Sequence, residues 1–292
     1  MMRILVTGKQ GYVGTQFERW MARYYPEVNV DLISVRELNW EVIDFSQYDT
    51  ILHAAAIVHR EENATSAGEY YEINTELTEN LAFRAKTAGV KHFVFLSTVA
   101  VYGEEGSFGQ VGKSIDIHQK PRPTSLYGKS KYEAEKRLHQ LESPDFQVAI
   151  VRPPMIYGPD CPGNYSRLAK LARATPFFPA INGSRSMLFI DNLSAFLQAV
   201  MCRRASGIYV PQNQETVNTT QLVQLIAEAN GKKMLTSNLI GRLCQVILRK
   251  HTIFKKTFGN LVFEMDKTIT YKAISFSDSI WKTENKEGVK AS

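Results

Sequence analysis

The chain has 292 residues, 44% of them hydrophobic and 22% charged, with 35 Lys+Arg against 29 Asp+Glu and a net charge of +6. This length supports a large core, and the composition excludes a disordered, collagen-like or disulfide-stapled chain. A net charge of +6 over this length is too small a bias to imply nucleic-acid binding.

Arg3 to Thr7 has the pattern of a buried strand, followed by glycines and a helix over Tyr12 to Tyr24. Further strands are expected at Val30 to Val35, Thr50 to Ala56, His92 to Ser97 and Val148 to Arg152, with a helix from Ile73 to Ala88. Strands separated by helices predict βαβ units and therefore an α/β fold, a doubly wound parallel sheet of Rossmann type. After Pro153 the prolines and glycines crowd together around one short helix, Ser166 to Ala174, which predicts a smaller, loop-rich C-terminal substrate domain. The expected division is 1–158 with 186–206 for the dinucleotide-binding domain, and 159–185 with 207–292 for the substrate part. Ser186 to Met201 then returns to the sheet.

Cys161, Cys202 and Cys244 form no Cys-x-x-Cys, and no histidine stands at metal-ligand spacing. Buried thiols, a reducing compartment and no metal site are expected. The N-terminal apolar run is too short for a signal peptide, and no apolar run spans a bilayer, so the expected location is cytoplasmic.

Gly8, Gly11 and Gly14 directly follow the first strand and open the first helix. A dinucleotide pyrophosphate needs that geometry: a tight turn, a backbone that lets phosphates approach, and close strand–helix packing, with the helix N-terminus toward the anion. Tyr12 and Val13 begin the helix beside it. The second strand ends Ser34-Val35-Arg36 without the carboxylate that would bind a ribose 2′-hydroxyl; Asp31 lies inside the strand. The cofactor is NADP or NAD, and Arg36 favours NADP. Asp44 is a candidate for the adenine edge.

Tyr127 and Lys131 are four apart and share a helix face. A nearby cation favours a phenolate, bringing a phenol of pKa near 10 toward the range where it exchanges protons. Tyr132 and Lys136 repeat the spacing, but Tyr132 begins an amphipathic run and is expected to pack. Ser97 and Thr98 close the fourth strand at the sheet's carboxyl edge, where such folds bind ligands.

Together these segments resemble the extended short-chain dehydrogenase/reductase family, in particular its nucleotide-sugar epimerases, dehydratases and 4-keto reductases. The matching segments are Thr7 to Gly14, His53 to Ala56, Asn74 in Glu-Ile-Asn-Thr, Leu96 to Gly103, Tyr127 to Lys131, Arg152 to Pro159 and Arg185 to Asn192. The resemblance implies that Tyr127 is the catalytic acid–base, Lys131 its ribose-binding partner, and Thr98 the catalytic hydroxyl with Ser97 beside it. It places Ala54, Ala55 and Pro153 against the cofactor. Arg185, Asn164, His59 and Tyr157 fall on the side of a nucleotide-diphosphate sugar substrate, and surface-polysaccharide precursor synthesis is the expected setting. Relatives dimerise through two helices, including the one bearing Tyr127, so a homodimer is expected.

The family's 4,6-dehydratases carry Asp-Glu directly after the threonine, where this chain has Val99 and Ala100, which cannot move protons. Epimerisation, with transient oxidation at a sugar carbon (C4 is expected), and net reduction of a 4-keto sugar both stay open. A non-catalytic dinucleotide-binding regulator of the same fold would lack the Tyr127/Lys131 pair.

Between Lys232 and Lys272, Lys232, Lys233, Arg242, Arg249, Lys250, Lys255, Lys256, Lys267 and Lys272 face only Glu264 and Asp266. Leu235, Leu239, Leu243 and Ile247 recur every four residues, predicting an amphipathic helix. Its apolar stripe either docks on the core or makes a peripheral membrane contact through 232–272.

Overall fold

The computed structural model describes residues 2–36, 38–58, 64–104, 114–181, 183–248 and 259–285. In the first strand, Arg3–Thr7, Ile4 and Val6 enter one apolar cluster and Leu5 another, because successive strand side chains alternate between faces. Six parallel strands form the sheet in the order Gly207–Tyr209, Gln147–Val151, His92–Leu96, Thr50–His53, Arg3–Thr7, Asn29–Ile33. Helices Tyr12–Tyr24 and Ile190–Cys202 cover one face through Phe17, Met21, Leu193 and Phe196. Leu77–Thr87 and Leu126–Leu141 cover the other, setting Leu81, Ala134 and Leu138 against Phe93 and Phe95. A sheet covered on both faces needs apolar strands throughout, and every residue of His92–Leu96 is buried.

The strand order reverses at Arg3–Thr7, whose neighbours are the second and third strands. Connections leaving these strands diverge, so a crevice opens at their carboxyl ends. The expected doubly wound Rossmann-type fold is therefore present.

Three elements differ from expectation. Ser186–Met201 returns to a face of the sheet and not to its edge: Met187–Phe189 pairs with Met155–Tyr157 outside it, and Ile190–Cys202 is a helix that covers the sheet beside Tyr12–Tyr24. The sixth sheet strand is instead Gly207–Tyr209, expected in the substrate part; three residues are too few for a period-2 pattern to stand out. The helix expected from Ile73 begins earlier, as Ala64–Tyr71, and passes through a π-helical stretch, Glu72–Glu76, before Leu77–Thr87. Of the three free cysteines, Cys161 is buried as expected but Cys202 is exposed at the end of its helix. Among the described residues no cluster of His, Cys, Asp or Glu is placed to hold a metal, and no helix is long and apolar enough to cross a membrane.

A buried ion pair ties the helix Leu126–Leu141 to the sheet. Arg152, just past the fifth strand, donates from Nε to Glu135 Oε1 at 3.0 Å and from Nη2 to Oε2 at 2.5 Å. The two side chains are only 4% and 3% exposed. Arg152 Nη1 also donates to the Tyr102 hydroxyl at 2.9 Å, which donates to the Ile117 carbonyl at 2.6 Å. Removing one partner leaves a charge out of water with nothing to balance it. Arg152→Ala is expected to lower unfolding free energy by about 3–5 kcal/mol in urea titration. The double change Arg152→Met with Glu135→Leu is expected to regain most of that loss.

Candidate active site

A cavity of about 1020 Å³ lies at the carboxyl end of the sheet, along the crevice. The glycine turn forms one wall. Gly8 has φ +99°, a conformation that disfavours a side chain, and a Cβ there would lie 3.3 Å from the Ala55 amide nitrogen. A Cβ on Gly11 or Gly14 would lie 3.0 Å from the Gly8 carbonyl oxygen. The helix begins at Tyr12 with Gly11 as its N-cap and no side-chain cap, so no side chain covers its first-turn amides. This cradle fits the pyrophosphate of a dinucleotide. Tyr12, Val13, Ala54, Ala55, Pro153 and Arg36, the other expected cofactor residues besides Asp44 and Lys131, all line the same cavity.

Asp44 does not. It caps a short 3-10 turn, accepting from the Ser46 amide at 2.9 Å and hydroxyl at 2.7 Å, and those bonds hold its carboxyl below the usual range. Asp31 is likewise engaged elsewhere, in an ion pair with Arg3 at 3.2 Å.

The turn is fixed from behind. Thr7 Oγ1 lies 2.7 Å from His53 Nδ1 and accepts from the Ala55 amide at 3.3 Å, while His53 Nε2 lies 2.9 Å from Thr78 Oγ1. His53 is fully buried, and burial pushes its pKa down to about 3, so it is a neutral ring joining the first and third strands to a helix.

Tyr127 lies in the first turn of the helix Leu126–Leu141, capped by the Ser125 hydroxyl accepting from the Gly128 amide at 3.0 Å. Tyr127, Thr98 and Lys131 line the cavity together. The Tyr127 and Thr98 side chains hydrogen-bond; desolvation raises the phenol's pKa, and the Thr98 bond pulls it partly back. Thr98 Oγ1 also accepts from the Ala100 amide at 3.1 Å, leaving its own proton to donate. Lys131 is 1% exposed; its Nζ donates to the Leu96 carbonyl at 2.7 Å and lies 4.2 Å from the centre of the Phe95 ring. Desolvation pulls its pKa down to about 7, against an opposing effect from Glu135.

Ser97 lines the cavity, but its hydroxyl donates to Glu135 Oε1 at 2.5 Å. That bond ties the strand end to the helix, and the hydroxyl bonded to Tyr127 is that of Thr98. Tyr132 packs beside Val101, Tyr102 and Phe263, as expected of the second tyrosine.

On the substrate side, Arg185 and Asn164 line the cavity; burial lowers the Arg185 guanidinium to about 10. Tyr157 is fully buried in the core instead, near Ser279 Oγ at 2.5 Å and accepting from Asn213 Nδ2 at 2.9 Å. In a strand a one-residue difference in register moves a side chain to the other face, which is how a motif tyrosine comes to lie inside. His59 lies outside the described residues.

Two supporting residues were not expected as such. Asn74, in the π-helical stretch, accepts from the Ile57 amide at 2.9 Å and donates to the Ile57 carbonyl at 3.0 Å and to Ser130 Oγ at 3.1 Å. Glu135 lies one helical turn beyond Lys131; that spacing was its only sequence signal.

The NAD dependent epimerase/dehydratase family model matches residues 4–176. The UDP-glucose 4-epimerase of Vibrio cholerae is 31% identical over 254 residues, 78% of this chain and 76% of that protein. The N-acetyl-alpha-D-glucosaminyl-diphospho-ditrans,octacis-undecaprenol 4-epimerase of Escherichia coli O157:H7 is 27% identical over 276 residues, 85% of this chain and 80% of that protein. The crystal structure of UDP-glucuronic acid 4-epimerase from Bacillus cereus in complex with NAD superposes with a TM-score of 0.72 at 18% identity, covering 99% of this chain and 100% of that one. With the glycine cradle, the Tyr127–Thr98–Lys131 group and a family match over more than half of its length, the chain belongs to the NAD dependent epimerase/dehydratase family.

Proposed function

We propose that this protein is an NADP-linked 4-epimerase of a nucleotide-diphosphate sugar, acting in the synthesis of surface-polysaccharide precursors. The observation that carries this reading is the convergence on one cavity of the glycine turn, Tyr127 with Thr98 and Lys131, and Arg185. Two of the relatives are named for 4-epimerisation, one of a sugar nucleotide and one of a polyprenol-linked sugar. When bound, the nicotinamide supplies a hydride acceptor and donor.

Tyr127 takes a proton from the sugar hydroxyl as the carbon is oxidised and returns it to that oxygen as the carbon is reduced. Desolvation favours the protonated phenol, and the Thr98 bond opposes that; to accept a proton the phenol needs a cation nearby, a part that Lys131, one turn along the helix and lining the same cavity, takes when protonated. Thr98 holds the same oxygen in register with Tyr127. Arg185 offers a planar fork of donors for the diphosphate. Val99 and Ala100 line the cavity beside Thr98 and carry no exchangeable proton, so water elimination has no acid or base there. Arg36, at the end of the second strand, lines the part of the cavity beyond the glycine turn and suits a 2′-phosphate.

A net 4-keto-sugar reductase is the second reading, favoured by Arg36, because NADPH is the usual donor for net reduction. Incubation with UDP- and dTDP-linked sugars, following NADPH absorbance and product stereochemistry together, separates the two. With NADP+ supplied, isomer interconversion without net formation of NADPH is expected; with NADPH supplied, its stoichiometric loss on a 4-keto sugar assigns the reductase. Retained dinucleotide binding without turnover of any sugar would leave only a regulator.

Tyr127→Phe is expected to cut kcat at least ~10²-fold, the low end for loss of a general acid–base. Tyr132→Phe is expected to leave it within ~2-fold, since that ring only packs. Equal losses in the two variants would remove Tyr127 from its role. Arg36→Ala is expected to weaken NADPH binding about 10-fold and leave NADH binding unchanged, as measured by fluorescence titration.

A further inference from the structure

The helix Asn238–Leu248 turns its apolar side away from the protein. Its inner contact is at Gly241, which is buried: a Cβ there would lie 1.8 Å from the Ala180 carbonyl oxygen, so backbone meets backbone. At about 100° per residue, Leu239, Leu243 and Val246 fall on the side opposite Gly241, with Ile247 on its flank. They are 80%, 59%, 66% and 66% exposed. Of the two expectations, docking on the core or an outward apolar face, the helix takes the second, while Leu235, expected in the stripe, lies in the strand Leu235–Ser237. A run of large apolar side chains in water has an unfavourable hydration free energy, and such patches mark interaction surfaces.

Charge identifies the partner. Arg242, at the edge of the stripe, and Lys233, on the turn leading into the preceding strand, are both exposed. From Lys232 to Phe263 the sequence has Lys or Arg at seven positions and no Asp or Glu. A second copy of this chain docked about a two-fold axis would bring this cationic face against itself. An anionic bilayer accepts both parts, the apolar side chains at the acyl boundary and the cations among the headgroups.

We infer that Asn238–Leu248 is a docking helix that lies in the headgroup region of an anionic membrane. The strand before it, Leu235–Ser237, pairs with Phe177–Pro179, and the chain continues from there to Arg185 at the cavity.

The test is co-sedimentation of the full-length protein with vesicles of phosphatidylcholine alone or mixed with phosphatidylglycerol, at low and high salt. Binding to the mixed vesicles at low salt is expected, with weaker binding at high salt and on phosphatidylcholine alone. Leu239→Glu with Leu243→Glu is expected to weaken binding at least ~10-fold, while circular dichroism and turnover of soluble sugar nucleotides match the unmodified protein. Since binding is read without any substrate, this inference and the proposed activity can fail separately. Absence of binding to anionic vesicles at low salt, or unchanged binding by the double variant, overturns it. So does sedimentation as a dimer that the double variant splits while vesicles stay bare, which makes the face a self-interface.

Discussion

Lys131 and Glu135 lie one turn apart on the same helix, and both are removed from water. Each would be costly alone. Glu135 is satisfied on both oxygens, by the two-pronged Arg152 and by the Ser97 hydroxyl. Lys131 has less: the Leu96 carbonyl, the face of Phe95 and the more distant attraction of Glu135. Desolvation draws the Lys131 ammonium down to about 7, so it exchanges its proton near neutral pH while lining the cavity. A buried, incompletely paired titratable group in a cavity is a candidate for function.

The surrounding structure keeps that helix in place. Asn74 clamps the backbone at Ile57 and reaches Ser130, and the Thr75 hydroxyl donates to the Ser130 carbonyl at 2.8 Å. Both side chains come from the π-helical stretch, where the extra residue in the turn re-aims them toward the helix bearing Tyr127. On the other side of the crevice, the Thr7–His53–Thr78 chain locks the glycine turn to the third strand. The glycine turn and the Tyr127–Thr98–Lys131 group are therefore held against one sheet edge, as the proposed reaction requires of its parts.

Residues read correctly from sequence were those whose signal is local. Arg3–Thr7 and Tyr12–Tyr24 were legible to the residue, because an apolar run broken by glycines and then a 3.6-residue period leave few alternatives. Tyr127 was separable from Tyr132 because only Tyr132 opens an amphipathic run along the helix. Glu135 and Asn74 were not legible as supports, because their partners arrive from Arg152, Ser97, Ile57 and Ser130, whose nearness is a property of the fold. Asp44 shows the opposite case: its local bonds to Ser46, which cap a short turn away from the cavity lining, leave no sign in the spacing on which its reading rested.

The helix Asn238–Leu248 exposes a different limit of sequence patterning. Periodicity establishes that one face avoids water, but not whether the protein's own core is what covers it. Here the small residue, Gly241, faces inward and the large apolar ones outward, so the protein satisfies the helix by close backbone contact and leaves its stripe for another medium. The chain thus departs from ordinary folding preference in two places, a buried, incompletely paired lysine lining the cavity and an exposed apolar helix in a stretch of basic sequence. Such departures are expected where function, and not stability, sets the residues. The segment from Phe177 to Arg185 connects them, carrying at one end the strand on which the helix is mounted and at the other an arginine of the cavity.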